Sequence, residues 1–105
     1  DINLITLLVS GTEPGLQIKD NNGKWQSIIC DPGSIAVNTG DMLREVSQGY
    51  FPSTTHKVIN PRKVDSNKSR YSMPLFLHPK STVRLSEKYI AEKYLNERLK
   101  EIGLK

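Results

Sequence analysis

The stretch GLQIKDNNGKWQSIIC, residues 15–30, decides the fold class. Leu16 to Asp20 and Lys24 to Cys30 are β-prone runs, and Asn21-Asn22-Gly23 between them is a strong hairpin signal, because Asn and Gly accept the positive φ that tight two-strand turns demand. The same cadence extends outward in both directions. Upstream, Leu4 to Val9 is a β-rich apolar run that GTEPG (Gly11 to Gly15) ends. Downstream, Asp31-Pro32-Gly33 turns the chain into a strand over Ser34 to Asn38, and Thr39-Gly40-Asp41 makes another tight turn. Met42 to Ser47 has room for a single helical turn. Gly49-Tyr50, Thr54 to Ile59 and Tyr71 to Leu77 supply the later strands.

Short strands separated by Gly, Pro and Asn turns predict a mainly β fold of the jelly-roll or barrel kind. The closing segment changes period. Ser86 is placed to cap a helix, with Leu85 and Ile90 as a hydrophobic staple around it. Tyr89, Ile90, Tyr94, Leu95, Leu99 and Ile102 then form an apolar stripe at helical spacing, ending at Gly103 as a C-cap. This stripe reads as core, lying against the outside of the sheet layer.

The chain has 105 residues, enough for one domain or part of one. No stretch approaches the roughly 20 apolar residues of a membrane span, and no signal peptide is expected ahead of the strands. Cys30 is the single cysteine, which excludes an internal disulfide framework and favours a reducing cytoplasm. The formal charge of +4 raises the question of nucleic acid, and its distribution answers it. Basic residues concentrate between 57 and 70 and in the closing segment, where Glu87, Glu92, Glu97 and Glu101 interleave with Lys88, Lys93, Arg98 and Lys100. That alternation is a solvated helix face with no aromatic stacking platform beside it, so neither a nucleic acid nor a membrane is expected as a partner.

Four blocks carry chemistry in a recognisable order: DINLITLLV (1–9), GLQIKDNNGKW (15–25), NTGDMLREVSQGYFPSTTHKV (38–58) and RYSMPLFLHP (70–79). In that order and spacing the chain resembles the isopenicillin N synthase-like branch of the Fe(II)/2-oxoglutarate-dependent dioxygenases. Members of this family carry an HxD…H ligand set and an RxS pair. The resemblance implies that Asp1 and His56 stand at the Asp and the distal His of that set, and that the first His lies two residues before Asp1, outside this sequence. It also implies that Arg70 and Ser72 hold the far carboxylate of 2-oxoglutarate. His78 has no such counterpart and reads as structural. The loop from Pro61 to Ser69 (PRKVDSNKS) is somewhat longer than usual for the branch.

The residue types suit the chemistry the resemblance implies. Two imidazoles and one carboxylate bind Fe(II) on one face and leave positions open for a 2-oxo acid and dioxygen. An Arg fork offers a carboxylate two parallel charge-assisted hydrogen bonds that Lys cannot reproduce. On a strand over Tyr71 to Leu77 and its approach, Arg70 and Ser72, as residues i and i+2, would project from one face.

The resemblance therefore implies a fragment of a double-stranded β-helix (jelly-roll) domain with a C-terminal α-helix: residues 1–80 as the core, incomplete at its N-terminus, and 81–105 as a segment whose amphipathic helix packs on it. The intact protein is expected to oxidise a small organic substrate with Fe(II), O2 and 2-oxoglutarate. The 105-residue chain by itself is expected to be inactive. Two alternatives are an oxidase of the same branch, in which Arg70 and Ser72 bind the substrate's own carboxylate, and a non-catalytic β-sandwich binding module. With its first strand lacking, the sheet is expected to present an unpaired edge, and the uncharged window of Leu4, Ile5, Leu7, Leu8 and Val9 to drive self-association through it.

Overall fold

The computed structural model describes residues 1–9, 11, 13–29, 31–60 and 69–105. Cys30 and most of the 61–69 loop, on which the compartment and loop-length readings rest, lie outside the described residues. The described elements are β1 (Ile5–Val9), β2 (Leu16–Lys19), β3 (Trp25–Ser27), β4 (Ile35–Thr39), α1 (Asp41–Val46), β5 (His56–Val58), β6 (Pro74–Leu77) and α2 (Ala91–Glu101). The chain is mainly β with a C-terminal helix, and among the described residues its strands form two three-stranded sheets, ordered β4-β1-β6 and β3-β2-β5. No described helix is long and apolar enough to cross a membrane.

Two compact units are present. One comprises Asp1–Thr6, Asn38–Ser53 and Phe76–Lys105, the other Leu7–Val37 and Thr54–Leu75.

In the second unit the hairpin forms where the sequence predicts it. β2 and β3 pair antiparallel with Ile18 opposite Gln26 and Lys19 opposite Trp25. The turn is fastened by Asp20, whose Oδ1 accepts from the backbone N–H groups of Asn22 and Lys24, both at 2.9 Å, while Oδ2 accepts from the Gln26 amide at 2.9 Å. These bonds, that of Gln26 foremost, hold the Asp20 carboxyl below the usual aspartate range. On its other edge β2 pairs antiparallel with β5, placing Ile18 opposite His56. The ammonium of Lys57 lies 4.0 Å from the centroid of the Trp25 ring and covers its half-exposed face.

The core of the first unit is Met42, Leu85, Tyr89, Ala91 and Tyr94, with Ile2, Leu4 and Leu95 packed against it. Tyr89 and Tyr94 meet edge to face at 5.1 Å. Tyr89 keeps its polar end satisfied by donating to Glu97 Oε2 at 2.6 Å, which lowers the Glu97 carboxyl pKa. Burial raises that of the Tyr94 phenol.

The structure departs from the sequence expectation in several local places. Helix α2 begins at Ala91, not after Ser86. The Ser86 hydroxyl accepts from Tyr89 N–H at 3.2 Å and closes a bend ahead of the helix, while the first helical N–H groups of Ala91 and Glu92 go to the carbonyls of Val83 and Ser81 at 2.8 and 3.0 Å. Backbone acceptors thus take the place assigned to a serine cap. The helix ends as expected: Gly103 N–H donates to Lys100 O and Leu104 N–H to Leu99 O, the double closure of a Schellman motif. Ile102, read as part of the stripe, is exposed.

Gly49-Tyr50 is turn, because Gln48 and Gly49 both have positive φ (53° and 84°) and cannot continue a strand. Strand β6 starts at Pro74, so Arg70 and Ser72 lie ahead of it and the alternation argument does not apply to them. Proline has no N–H to give a ladder and is accepted at a strand's first position. Finally, β1 is the central strand of its sheet. The window expected to form an open edge is flanked on both sides.

Candidate functional site

Asp1 is held by its backbone before its side chain. Residues 1–4 cross the start of α1, whose leading N–H groups need acceptors. Asp41 N–H donates to Asp1 O at 2.8 Å, Met42 N–H to Ile2 O at 3.1 Å, and Gly40 N–H to Leu4 O at 2.8 Å. On the other side Leu4 N–H donates to Leu77 O at 3.0 Å. The approach at Gly40 is so close that a Cβ there would stand 2.0 Å from the carbonyl oxygen of Asn3, so only glycine fits.

The Asp1 carboxylate, half-buried, takes two hydrogen bonds on one oxygen. Thr6 Oγ1 donates to Oδ2 at 2.6 Å and Asn38 Nδ2 donates to the same atom at 3.0 Å. Behind Thr6 sits Asn3, fully buried, whose Nδ2 donates to Ile5 O at 2.7 Å and to Thr6 Oγ1 at 3.1 Å. The sequence by itself marks neither Thr6 nor Asn38 as a partner of Asp1. Thr6 reads there as one more β-branched residue in an apolar run, and Asn38 as the end of a strand. The detectable signal was a hydroxyl at a strand position whose neighbours Ile5, Leu7 and Leu8 are all aliphatic.

His56 opens β5 and is half-buried. Its Nδ1 lies 3.0 Å from Thr54 O, the geometry of an Nδ1–H donor to a backbone carbonyl. In the neutral ring this leaves the lone pair on Nε2, the tautomer a metal ligand requires, and fixes the ring plane. The strand is tied in place by Lys19 N–H donating to Thr55 O at 2.8 Å.

Arg70 and Ser72 are exposed. The Arg70 guanidinium lies against Gly15, where a Cβ would come within 2.6 Å of Nη1 and 2.8 Å of the Ile59 carbonyl oxygen. Gly15 itself accepts from Ile59 N–H at 2.9 Å. The sequence shows Gly15 only as the end of a turn; its service to Arg70 was not visible. His78 is exposed just after β6.

Asp1 belongs to the first compact unit, and His56, Arg70 and Ser72 to the second. Among the described residues no group of three or more His, Cys, Asp or Glu side chains is assembled that could hold a metal ion. The donor chemistry nonetheless fits a ferrous ion at two positions: a carboxylate steadied on one oxygen, and an imidazole with Nδ1 committed to a carbonyl.

Residues 1–79 match the 2OG-Fe(II) oxygenase superfamily, a span that includes Asp1, His56, Arg70 and Ser72. The chain belongs to that family. It is 37% identical over 86 residues to gibberellin 2-beta-dioxygenase 1 of Arabidopsis thaliana, an alignment covering 82% of this chain and 25% of the relative. Over its full length it superposes on a Shewanella oneidensis protein assigned as an oxygenase, with a TM-score of 0.88, 57% identity and 39% of that chain covered. A full-length Neurospora crassa protein solved in complex with alpha-KG matches with a TM-score of 0.78 and 30% identity, over 97% of this chain and 36% of that one. The chain therefore spans about a quarter of the dioxygenase's length and under two-fifths of each structure's.

Proposed function

We propose that the intact protein is a non-haem Fe(II) oxygenase that oxidises a small organic substrate with O2 while 2-oxoglutarate is decarboxylated. The observation carrying this reading is the family match over residues 1–79, which takes in Asp1, His56, Arg70 and Ser72 in the order of the family's HxD…H and RxS motifs. We further read residues 1–80 as part of a double-stranded β-helix and 81–105 as its C-terminal helical segment. A reducing compartment suits a chain with one cysteine and a ferrous cofactor.

In this reading Asp1 and His56 are two of the metal's protein ligands. Asp1 contributes a charge and His56 its Nε2, each oriented by the hydrogen bonds already described. Bound Fe(II) supplies dioxygen activation and the redox chemistry, which no side chain here can supply. Arg70 meets the distal carboxylate of 2-oxoglutarate as a two-pronged donor, and the Ser72 hydroxyl adds a third bond. That contact selects a dicarboxylate and orients its 2-oxo acid end toward the metal.

The test is anaerobic loading of the full-length protein with Fe(II), followed by addition of O2 and 2-oxoglutarate labelled at the carboxyl carbon lost as CO2. Release of labelled CO2 that depends on both Fe(II) and Asp1 is the expected result. A protein that turns over a substrate with O2 but leaves 2-oxoglutarate intact belongs to the branch whose Arg70 binds the substrate's own carboxylate.

A further inference from the structure

We propose that Thr6 and Asn38 are positioning residues for the Asp1 carboxylate, which they hold by Oδ2 and so fix in the orientation in which it would meet a metal ion. This deepens the reading of Asp1 as a metal ligand and rests on it.

The direction of each bond can be worked out. Thr6 has one hydroxyl proton and two acceptors in range: Asp1 Oδ2 at 2.6 Å and Asn3 Oδ1 at 3.4 Å. Distance and charge both assign the proton to the carboxylate, since hydrogen bonds to an ionised acceptor are the shorter and stronger ones. Asn3 reinforces the choice, because its Nδ2 donates to the Thr6 oxygen and occupies a lone pair there. The result is a directed chain, Asn3 N–H to Thr6 O–H to Asp1 Oδ2, in which each bond polarises the next. Asn38 delivers a second donor to that atom from β4, the strand beside β1.

A carboxylate oxygen offers about two lone-pair directions, and here donors from two strands take both. The carboxylate would thereby be presented to a metal ion in one fixed orientation, its freedom to rotate removed by two donors. Burial supports the role: Asn3 is 1% and Thr6 4% exposed, so water does not compete for the bonds that lead to the carboxylate.

The experiment uses the full-length protein with Thr6→Val, which keeps the shape and deletes the hydroxyl, Thr6→Ser, which restores it, Asn38→Ala and Asp1→Ala. Anaerobic Fe(II) titration gives each dissociation constant, and the melting point of the metal-free protein is recorded alongside. Thr6→Val and Asn38→Ala are expected to weaken Fe(II) by roughly 10–100-fold, with Thr6→Ser close to the parent. Lowered melting points with unchanged Fe(II) affinity in both variants would show a purely structural role and overturn the proposal. If Thr6→Val does not fold, Asn38→Ala, at a half-buried position, decides alone. The Asp1→Ala arm separates the two levels: parental Fe(II) affinity there removes Asp1 as a ligand and the proposal with it. Loss of metal in Asp1→Ala beside full affinity in Thr6→Val and Asn38→Ala overturns the positioning role only.

Discussion

The Arg70 guanidinium occupies the space a side chain on Gly15 would need, with Nη1 2.6 Å and Nη2 3.2 Å from a Cβ built there. The glycine also has φ +143°, a region that L side chains rarely adopt. Gly15→Ala therefore strains the backbone, crowds the Ile59 carbonyl and moves the guanidinium at once. We expect a loss of about 1–3 kcal/mol in urea unfolding. The half-saturating concentration of 2-oxoglutarate should rise as well. A variant that keeps the parental half-saturation would mean that Arg70 does not depend on this contact.

Arg70→Lys replaces a planar fork by a point charge. In the full-length protein it is expected to weaken 2-oxoglutarate by on the order of 2 kcal/mol, with Ser72→Ala doing less harm. The concentration dependence of CO2 release measures both. Unchanged half-saturation in Arg70→Lys would take Arg70 out of co-substrate binding.

The β2–β3 turn is acid-sensitive through Asp20. Its pKa is lowered in the folded chain, chiefly by the bond from Gln26, so the group contributes stability that is present above the ordinary aspartate value and lost as pH falls through the lowered one. The window lies below about pH 4. Amide exchange at Asn22 and Lys24, whose N–H groups bond to Asp20 Oδ1, should accelerate there beyond its intrinsic pH dependence. Asp20→Ala should abolish that extra step and give fast exchange at neutral pH.

Met42 is 1% exposed and joins α1 to Leu85, Tyr89, Ala91 and Tyr94. Met42→Ala leaves a cavity among side chains that are themselves fixed, at a cost of about 2–5 kcal/mol. Chemical denaturation reads it directly, and a change below about 1 kcal/mol, small on the same scale, would mean the cluster collapses to fill the gap.

Self-association is now expected from the outer strands β4 and β6, not from β1. Ile35, Val37, Leu75, Phe76 and Leu77 on these strands are all exposed. Exposed apolar edge strands recruit other chains. Size-exclusion chromatography of the 105-residue chain over a concentration series should show growth of larger species, which Phe76→Lys reduces. A concentration-independent monomer would count against both edges.

Features encoded within a few residues were legible in the amino-acid sequence. The Asn21-Asn22-Gly23 hairpin, the strand cores around Ile5–Val9 and Ile35–Thr39, and the Gly103 closure of α2 each depend on local φ preferences and short-range hydrogen bonds. The motif order that names the family is likewise a property of the linear chain. What pairs residues far apart was decided only by the tertiary structure. The place of β1 between β4 and β6 turned a predicted edge into a centre. The start of α2 was set by the carbonyls of Ser81 and Val83 and not by the hydroxyl of Ser86. Asn38 reaches Asp1 across 37 positions, and Arg70 comes to rest on Gly15. Linear patterns report which face of an element is apolar. They do not report which strand lies beside it, and it is that neighbour which supplies the donor, the acceptor or the space.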